Sequence, residues 1–194
     1  MAQPARPLRA DAARNRARVL ETAYETFAAE GLSVPIDEIA RRAGLGVGTL
    51  YRHFPTKEAL FAAIVVTRME DVVVAARSLL NADAPGEAFF GFLAQLTEGW
   101  AAKKDLVDAL ASAGAGISSG LAETGTRLRG DIGHLLARAQ RGGAIRDDIG
   151  IADLMALVAG VLFALQTRSA ELADPRRAVA VLSDGLLAAR VRAH

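Results

Sequence analysis

The sequence predicts an all-α protein of about nine helices: a small N-terminal three-helix unit followed by a larger helical part. Three observations carry this. Alanine, the best helix former, occurs 41 times in 194 residues, whereas the strand-favouring Phe, Tyr and Trp total ten. Apolar residues recur at three- and four-residue spacing along most of the chain. Glycine and proline breakers cut that pattern into helix-sized pieces. A composition of 52% hydrophobic and 23% charged residues supplies a sizeable core and excludes a disordered chain.

The first helix is expected over 12–30, where Val19, Leu20, Ala23, Tyr24, Phe27 and Ala28 share helical spacing, and Gly31 ends it. A second, over 35–43, starts at Pro35, carries Asp37 and Glu38 where the macrodipole favours acids, turns Ile36, Ile39 and Ala40 inward and closes at Gly44. A third follows Gly46 and runs to His53, burying Leu50 and Phe54. Two short helices joined by a tight glycine turn behind a longer one make a helix-turn-helix. Thr56 reads as the N-cap of a fourth helix that carries Leu60, Phe61, Ile64 and Val65 and continues to about residue 80. Its Val72-Val73-Val74 run leaves a short buried strand as the alternative.

The breaker Asn81-Ala82-Asp83-Ala84-Pro85-Gly86 precedes an amphipathic helix over 87–103. A short helix at 105–113, a glycine-rich loop or broken helix at 114–120, and helices over 121–141 and 151–169 follow. Asp174-Pro175 starts the last, expected to reach about residue 192. The domain boundary is placed inside the fourth helix. This gives an N-terminal domain over 1–65, with a flexible basic arm at 1–12, and a second domain over 66–194.

The net charge of +1 hides an asymmetry. Residues 1–57 carry a net +3 and residues 58–194 a net −2, and Arg6, Arg9, Arg14, Arg16 and Arg18 face a single acid, Asp11. Such an end either meets a polyanion or is a solvated helix start. An organelle transit peptide shares this composition, but the segment runs straight into an organised motif. The absence of cysteine excludes a disulfide scaffold, a thiolate zinc site and a Cys nucleophile. The longest uncharged apolar stretch, 154–167, falls short of the ~18–20 residues that cross a bilayer. With no apolar signal segment at the start, these features predict a soluble cytoplasmic protein with no membrane partner.

The most specific segment is Gly48-Thr49-Leu50-Tyr51-Arg52-His53-Phe54-Pro55-Thr56-Lys57. Together with residues 34–47 before it, it resembles the DNA-binding motif of the TetR family of bacterial repressors, over about residues 13–62. A recognition helix must turn one face into the major groove while the other stays packed. Leu50 and Phe54, four apart, take the packed face, leaving Val47, Thr49, Tyr51, Arg52 and His53 towards the exposed side. Gly46 and Gly48 let the backbone approach phosphate or base, and free amides at the helix start bind phosphate. Thr49, Tyr51 and His53 are expected phosphate contacts, with a partly core position the alternative for Tyr51. Arg52 either reads a guanine edge or pairs with the backbone. Lys57 resembles the family's phosphate clamp. Arg14, Arg16 and Arg18 are expected at phosphate, as is one of the pair Arg41 and Arg42, Arg41 being the choice made here. Arg6 and Arg9 are candidates for the minor groove. Family members often place a Thr or Arg reader where this chain has Pro35, Ile36 and Asp37, so specificity falls mainly to the third helix.

The resemblance implies a homodimer on a palindromic double-stranded operator, released by a small-molecule effector. The expected effector is apolar or weakly polar, because the candidate pocket residues Phe89, Phe92, Leu93, Leu96 and Trp100, with Leu110, Ile117, Leu121, Phe163 and Gln166, include few polar groups. Leu154, Leu157, Val158, Val161 and Leu165, with Val179, Leu182 and Leu186, are expected at an isologous dimer interface, the alternative being the subunit's own core. No cofactor, metal or catalytic residue is expected. Gly114, Gly116 and Gly120 lack the strand and Gly-Lys-Ser/Thr of a phosphate loop. His53 has no partner at ligand spacing. An enzyme is one rival reading. The other is a helical ligand-binding or adaptor protein whose DNA motif is vestigial.

Overall fold

The computed structural model describes residues 5–101, 119–166 and 175–188. They form eight α-helices: α1 (Ala5–Glu30), α2 (Ile36–Arg42), α3 (Val47–His53), α4 (Lys57–Ser78), α5 (Pro85–Ala101), α6 (Ser119–Arg141), α7 (Ile151–Gln166) and α8 (Pro175–Leu186). Among the described residues the only extended pairing is one antiparallel bridge between Ile145 and Leu187, and Val72-Val73-Val74 is helical within α4. The short helix expected at 105–113 lies outside the described residues, as does Asp174. No described helix is long and apolar enough to cross a membrane. Contacts divide the chain into two compact units, with the division inside α4 between Thr67 and Arg68.

In the first unit, α1 starts at Ala5, seven residues before the sequence expectation, so residues 5–12 are helical rather than an arm. Pro7 permits this. It sits in the first turn, where a backbone N–H has no intrahelical acceptor, so its missing donor costs nothing. Gly31, with φ +80°, ends α1 and donates its N–H to Phe27 O at 3.0 Å. Val19, Ala23 and Phe27, each four apart, are wholly buried with Ile39, Leu50, Leu60 and Ile64, and the Phe27 and Phe61 rings meet at 4.8 Å. The Thr56 Oγ1 cap is realised: it accepts the Ala59 N–H at 3.1 Å and starts α4.

In the second unit, α5 packs against α6, α7 and α8. Phe89, Phe92 and Leu93 of α5 are buried with Ile132, Leu135 and Leu136 of α6, Leu154 and Val158 of α7, and Leu182 and Leu186 of α8. Arg77 of α4 donates its Nε to the buried Asp131 carboxylate of α6 at 2.8 Å. The α6–α7 connection turns on Gly143 (φ +71°) and is fixed by the Gln140 amide, which donates to the carbonyls of Arg146 and Ile149 at 2.9 and 3.0 Å. α8 stops at Leu186, six residues before the expected end. Beyond it the chain pairs with that connection: Leu186 O accepts from Arg146 N at 3.0 Å, and Ala188 N donates to Ala144 O at 3.2 Å.

Candidate nucleic-acid interface

α3 is a two-turn helix with opposed faces. Leu50 is wholly buried and Phe54, its C-cap, nearly so, as their spacing predicts. Gly48 and Arg52 are exposed, Val47 and Tyr51 are 39% and 41% exposed, and Thr49 and His53 are half-buried. A core-anchored helix thus presents an outward strip of one cation, one phenol and two short residues. The Tyr51 phenol lies beside the Asp37 carboxylate at the start of α2. Partial desolvation, then the neighbouring Asp37 carboxylate, push the phenol pKa up, so it stays a proton donor. Arg52 makes no ion pair among the described residues.

The surrounding cations are placed differently from one another. On α1, Arg14 and Arg18 are four apart and share a face, Arg14 paired with Asp11 and Arg18 bonded to the neutral Asn15 amide at 2.9 Å. Arg16, roughly 200° around the helix from Arg14, lies over the Phe54 ring at 5.4 Å and so sits beside the end of α3. The three arginines expected at phosphate therefore occupy two faces. Arg41 and Arg42 are both engaged by carboxylates: Arg41 by Glu38, and Arg42 by Glu38 and Glu30. Lys57 departs furthest from the expected phosphate clamp. Its ammonium turns inward, donating to Leu32 O and, at 2.8 Å, to Val34 O, with the Phe27 and Phe61 rings 5.6 and 5.9 Å away. Two part-buried carbonyls and two aromatic faces hold it in place of water.

The expected pocket residues separate. Phe89, Phe92, Leu93 and Leu96 do line one cavity, joined by Ile132, Leu154, Met155 and Val158, which are not among the expected pocket residues. Every lining side chain is apolar, and the volume is about 10 Å³, room for one water at most. Phe163 is not part of it: it is 64% exposed on the far side of α7. Leu110 and Ile117, and the side chains of Trp100, Leu121, Leu165 and Gln166, lie outside the description.

The expected interface residues also divide. Leu154, Val158, Leu182 and Leu186 are buried in this subunit's own core, because they form the stripes that α7 and α8 turn towards α5. Val161 and Val179 are half-buried and Leu157 is 46% exposed. The exposed positions of α7 (Ala152, Asp153, Ala156, Leu157, Ala159, Gly160, Phe163 and Ala164) fall in one arc of roughly 160° at about 100° per residue. Asp153 is its single charge. On α8, Val181 is 64% exposed.

Residues 19–64 match the family model described as bacterial regulatory proteins, tetR family, and residues 84–188 match that of the C-terminal domain of SbtR-like transcriptional regulators. A TetR transcription regulatory protein from Mycobacterium vanbaalenii is 48% identical with a TM-score of 0.74, over 93% of this chain and 99% of that one. A TetR transcriptional regulator from Streptomyces coelicolor is 30% identical with a TM-score of 0.72, over 90% and 99%. An HTH-type transcriptional regulator of Staphylococcus aureus is 40% identical over 68 residues, 34% of this chain, and the matched part spans 36% of that relative's length.

Proposed function

The chain belongs to the TetR family of bacterial transcriptional regulators, and we infer that it acts in the cytoplasm as a homodimeric repressor whose α3 helices enter successive major grooves of a palindromic operator. One observation carries this: the outward strip of α3, with Arg52 unpaired by any described carboxylate, stands on the buried Leu50 and Phe54, so the helix can be read by DNA without unfolding its support. Arg52 is the candidate base reader. Thr49 and His53 are the candidate phosphate contacts, and Tyr51, beside the Asp37 carboxylate, is a further donor at the same edge. Spacing two half-sites by about 34–36 Å, or a multiple, requires two copies. The apolar outer arc of α7 with Val181 of α8 supports a second copy as its occupant, since such faces on a folded chain mark interaction sites.

Release by a small apolar molecule fits the second unit's cavity, whose lining offers no polar group. At its present volume it admits no such molecule, against the ~300–1,000 Å³ of ordinary ligand sites. An effector must therefore select a conformation with α5 and α7 spread, and its leverage on operator affinity equals its preference for that state. Helix α4 contributes Leu60 and Ile64 to one core and Ala76 to the other, which supports it as the connecting element.

The test is binding of a palindromic fragment from beside the protein's own gene, across a salt series. The reading expects tight binding that weakens steeply with salt, as released counterions demand. Arg52→Ala should relax sequence preference by about 1–3 kcal/mol at one base pair. Salt-insensitive or absent binding would leave a helical ligand-binding or adaptor protein.

A further inference from the structure

The two arginines that close α2 form, with two glutamates, a neutral cluster. Arg41 forks onto Glu38, Nε to Oε2 at 2.7 Å and Nη2 to Oε1 at 2.6 Å. Arg42 gives its Nε to the same Oε1 at 2.7 Å, and its two terminal nitrogens to the Glu30 carboxylate at the end of α1, Nη2 to Oε2 at 3.0 Å. Glu38 therefore accepts three charged N–H donors. These bonds hold its carboxyl well below the usual range, at about 2, so it is ionised at any working pH.

This arrangement does little for stability. The Arg41 side chain is 74% exposed, where water and salt screen an ion pair. Its consequence is for charge. Glu38 precedes Arg41 and Arg42 by three and four residues, the favourable order on a helix. On the solvent side of α2, Asp37 and Arg41 are four apart and neighbours, α2 packs on α3, and the Asp37 carboxylate lies close enough to Tyr51 of α3 to raise its phenol pKa. Arg41 thus lies on the flank of α2 nearest the exposed strip of α3. In a helix-turn-helix that flank crosses the phosphate backbone. A phosphate approaching Arg41 would have to displace a like-charged carboxylate already in bidentate contact.

We propose that Glu38 is an intramolecular competitor for DNA phosphate, masking Arg41 so that α2 adds no sequence-independent affinity and discrimination is left to α3. The proposal rests on the DNA-binding reading. It makes Glu38 a specificity-determining residue without any contact to a base, because sequence-independent affinity is what a specific site must exceed.

The experiment measures binding of a fluorescent random-sequence duplex over a salt series by the wild type, Glu38→Gln, Arg41→Gln and the double variant, each confirmed as folded by circular dichroism. Unmasking predicts that Glu38→Gln binds several-fold tighter, with a log–log salt slope steeper by about 0.9, one added phosphate contact. Arg42 stays on Glu30, so one contact is the expected gain. Arg41→Gln alone should change affinity and slope little, and the double variant should lose the gain. If Arg41→Gln by itself weakens binding and flattens the slope by about 0.9, Arg41 already meets phosphate and the proposal fails. Equal and opposite changes in the two single variants, adding in the double, would reduce the effect to net charge and also overturn it. Should Glu38→Gln not fold, Arg41→Gln decides the matter alone. A wild type with no salt-dependent binding removes the DNA-binding reading itself, a result distinct from any of these.

Discussion

At the scale of single residues, what a side chain can do for DNA depends on what else it is bound to. Gly48 illustrates the opposite case. It lies inside α3 with ordinary φ, and a Cβ there meets nothing within 4 Å, so neither strain nor packing in this chain calls for glycine. Glycine within a helix costs about 1 kcal/mol relative to alanine. Gly48→Ala is therefore expected to raise the melting temperature while weakening operator binding, because on the proposed DNA-binding reading the added methyl fills the space where the backbone would approach the duplex. A gain in stability with unchanged affinity would show that the space goes unused. Lys57 gives a second test. If its ammonium holds the Leu32 and Val34 carbonyls, Lys57→Met should lower stability by about 1.5–3 kcal/mol, the worth of charged hydrogen bonds. A phosphate clamp would instead leave melting unchanged and flatten the salt slope. The sequence made the Leu50 and Phe54 anchors legible because both obey local spacing. The partners of Lys57 and the Glu30 partner of Arg42 were not legible, since they lie 23 to 25 and 12 residues away and are brought together by folding.

At the scale of elements, the sequence marked helix ends well where a side chain or a glycine does the ending. Gly31 and the Thr56 cap fall where expected, and Gly150 N–H bonds the Asp153 carboxylate at 2.8 Å to start α7. The ends it misplaced are set otherwise. α1 begins early because nothing in residues 5–11 forbids a helix, and α8 ends early because residues beyond Leu186 gain backbone bonds to the 144–146 strip. Helix α5 provides a paired test of close packing. An added Cβ at Gly86 would lie 2.5 Å from the Ala144 Cβ, whereas at Gly91 it meets nothing within 4 Å. Gly86→Ala should cost about 1–3 kcal/mol by overpacking, and Gly91→Ala should gain up to about 1 kcal/mol in helix propensity, both read from chemical denaturation. The same substitution in one helix thus changes sign with its neighbours. Equal effects at the two positions would mean that the 144–146 connection yields freely.

For the whole molecule, the decisive question is which apolar surface belongs inside the subunit and which is left for the proposed second copy. The sequence did not separate them, because α7 is apolar nearly all round and offers no polar face to mark its outside. Folding does the sorting. Leu154 and Val158 go to the core, and Leu157 and Phe163 stay exposed on the outer arc. A charge on either stripe should therefore fail differently. Leu157 and Phe163 lie outside the buried cluster of the second core, so Leu157→Asp and Phe163→Asp should each keep the helical signal and melt cooperatively, yet, if the proposed dimer forms through this arc, shift to monomer mass in sedimentation and lose operator affinity by orders of magnitude, since one motif covers half a site. Leu154→Asp should instead unfold the subunit, because an uncompensated charge would enter the core. If both outer variants remain dimeric and hold the operator as the wild type does, the arc is not where copies meet. The two-site geometry would then have to come from another surface.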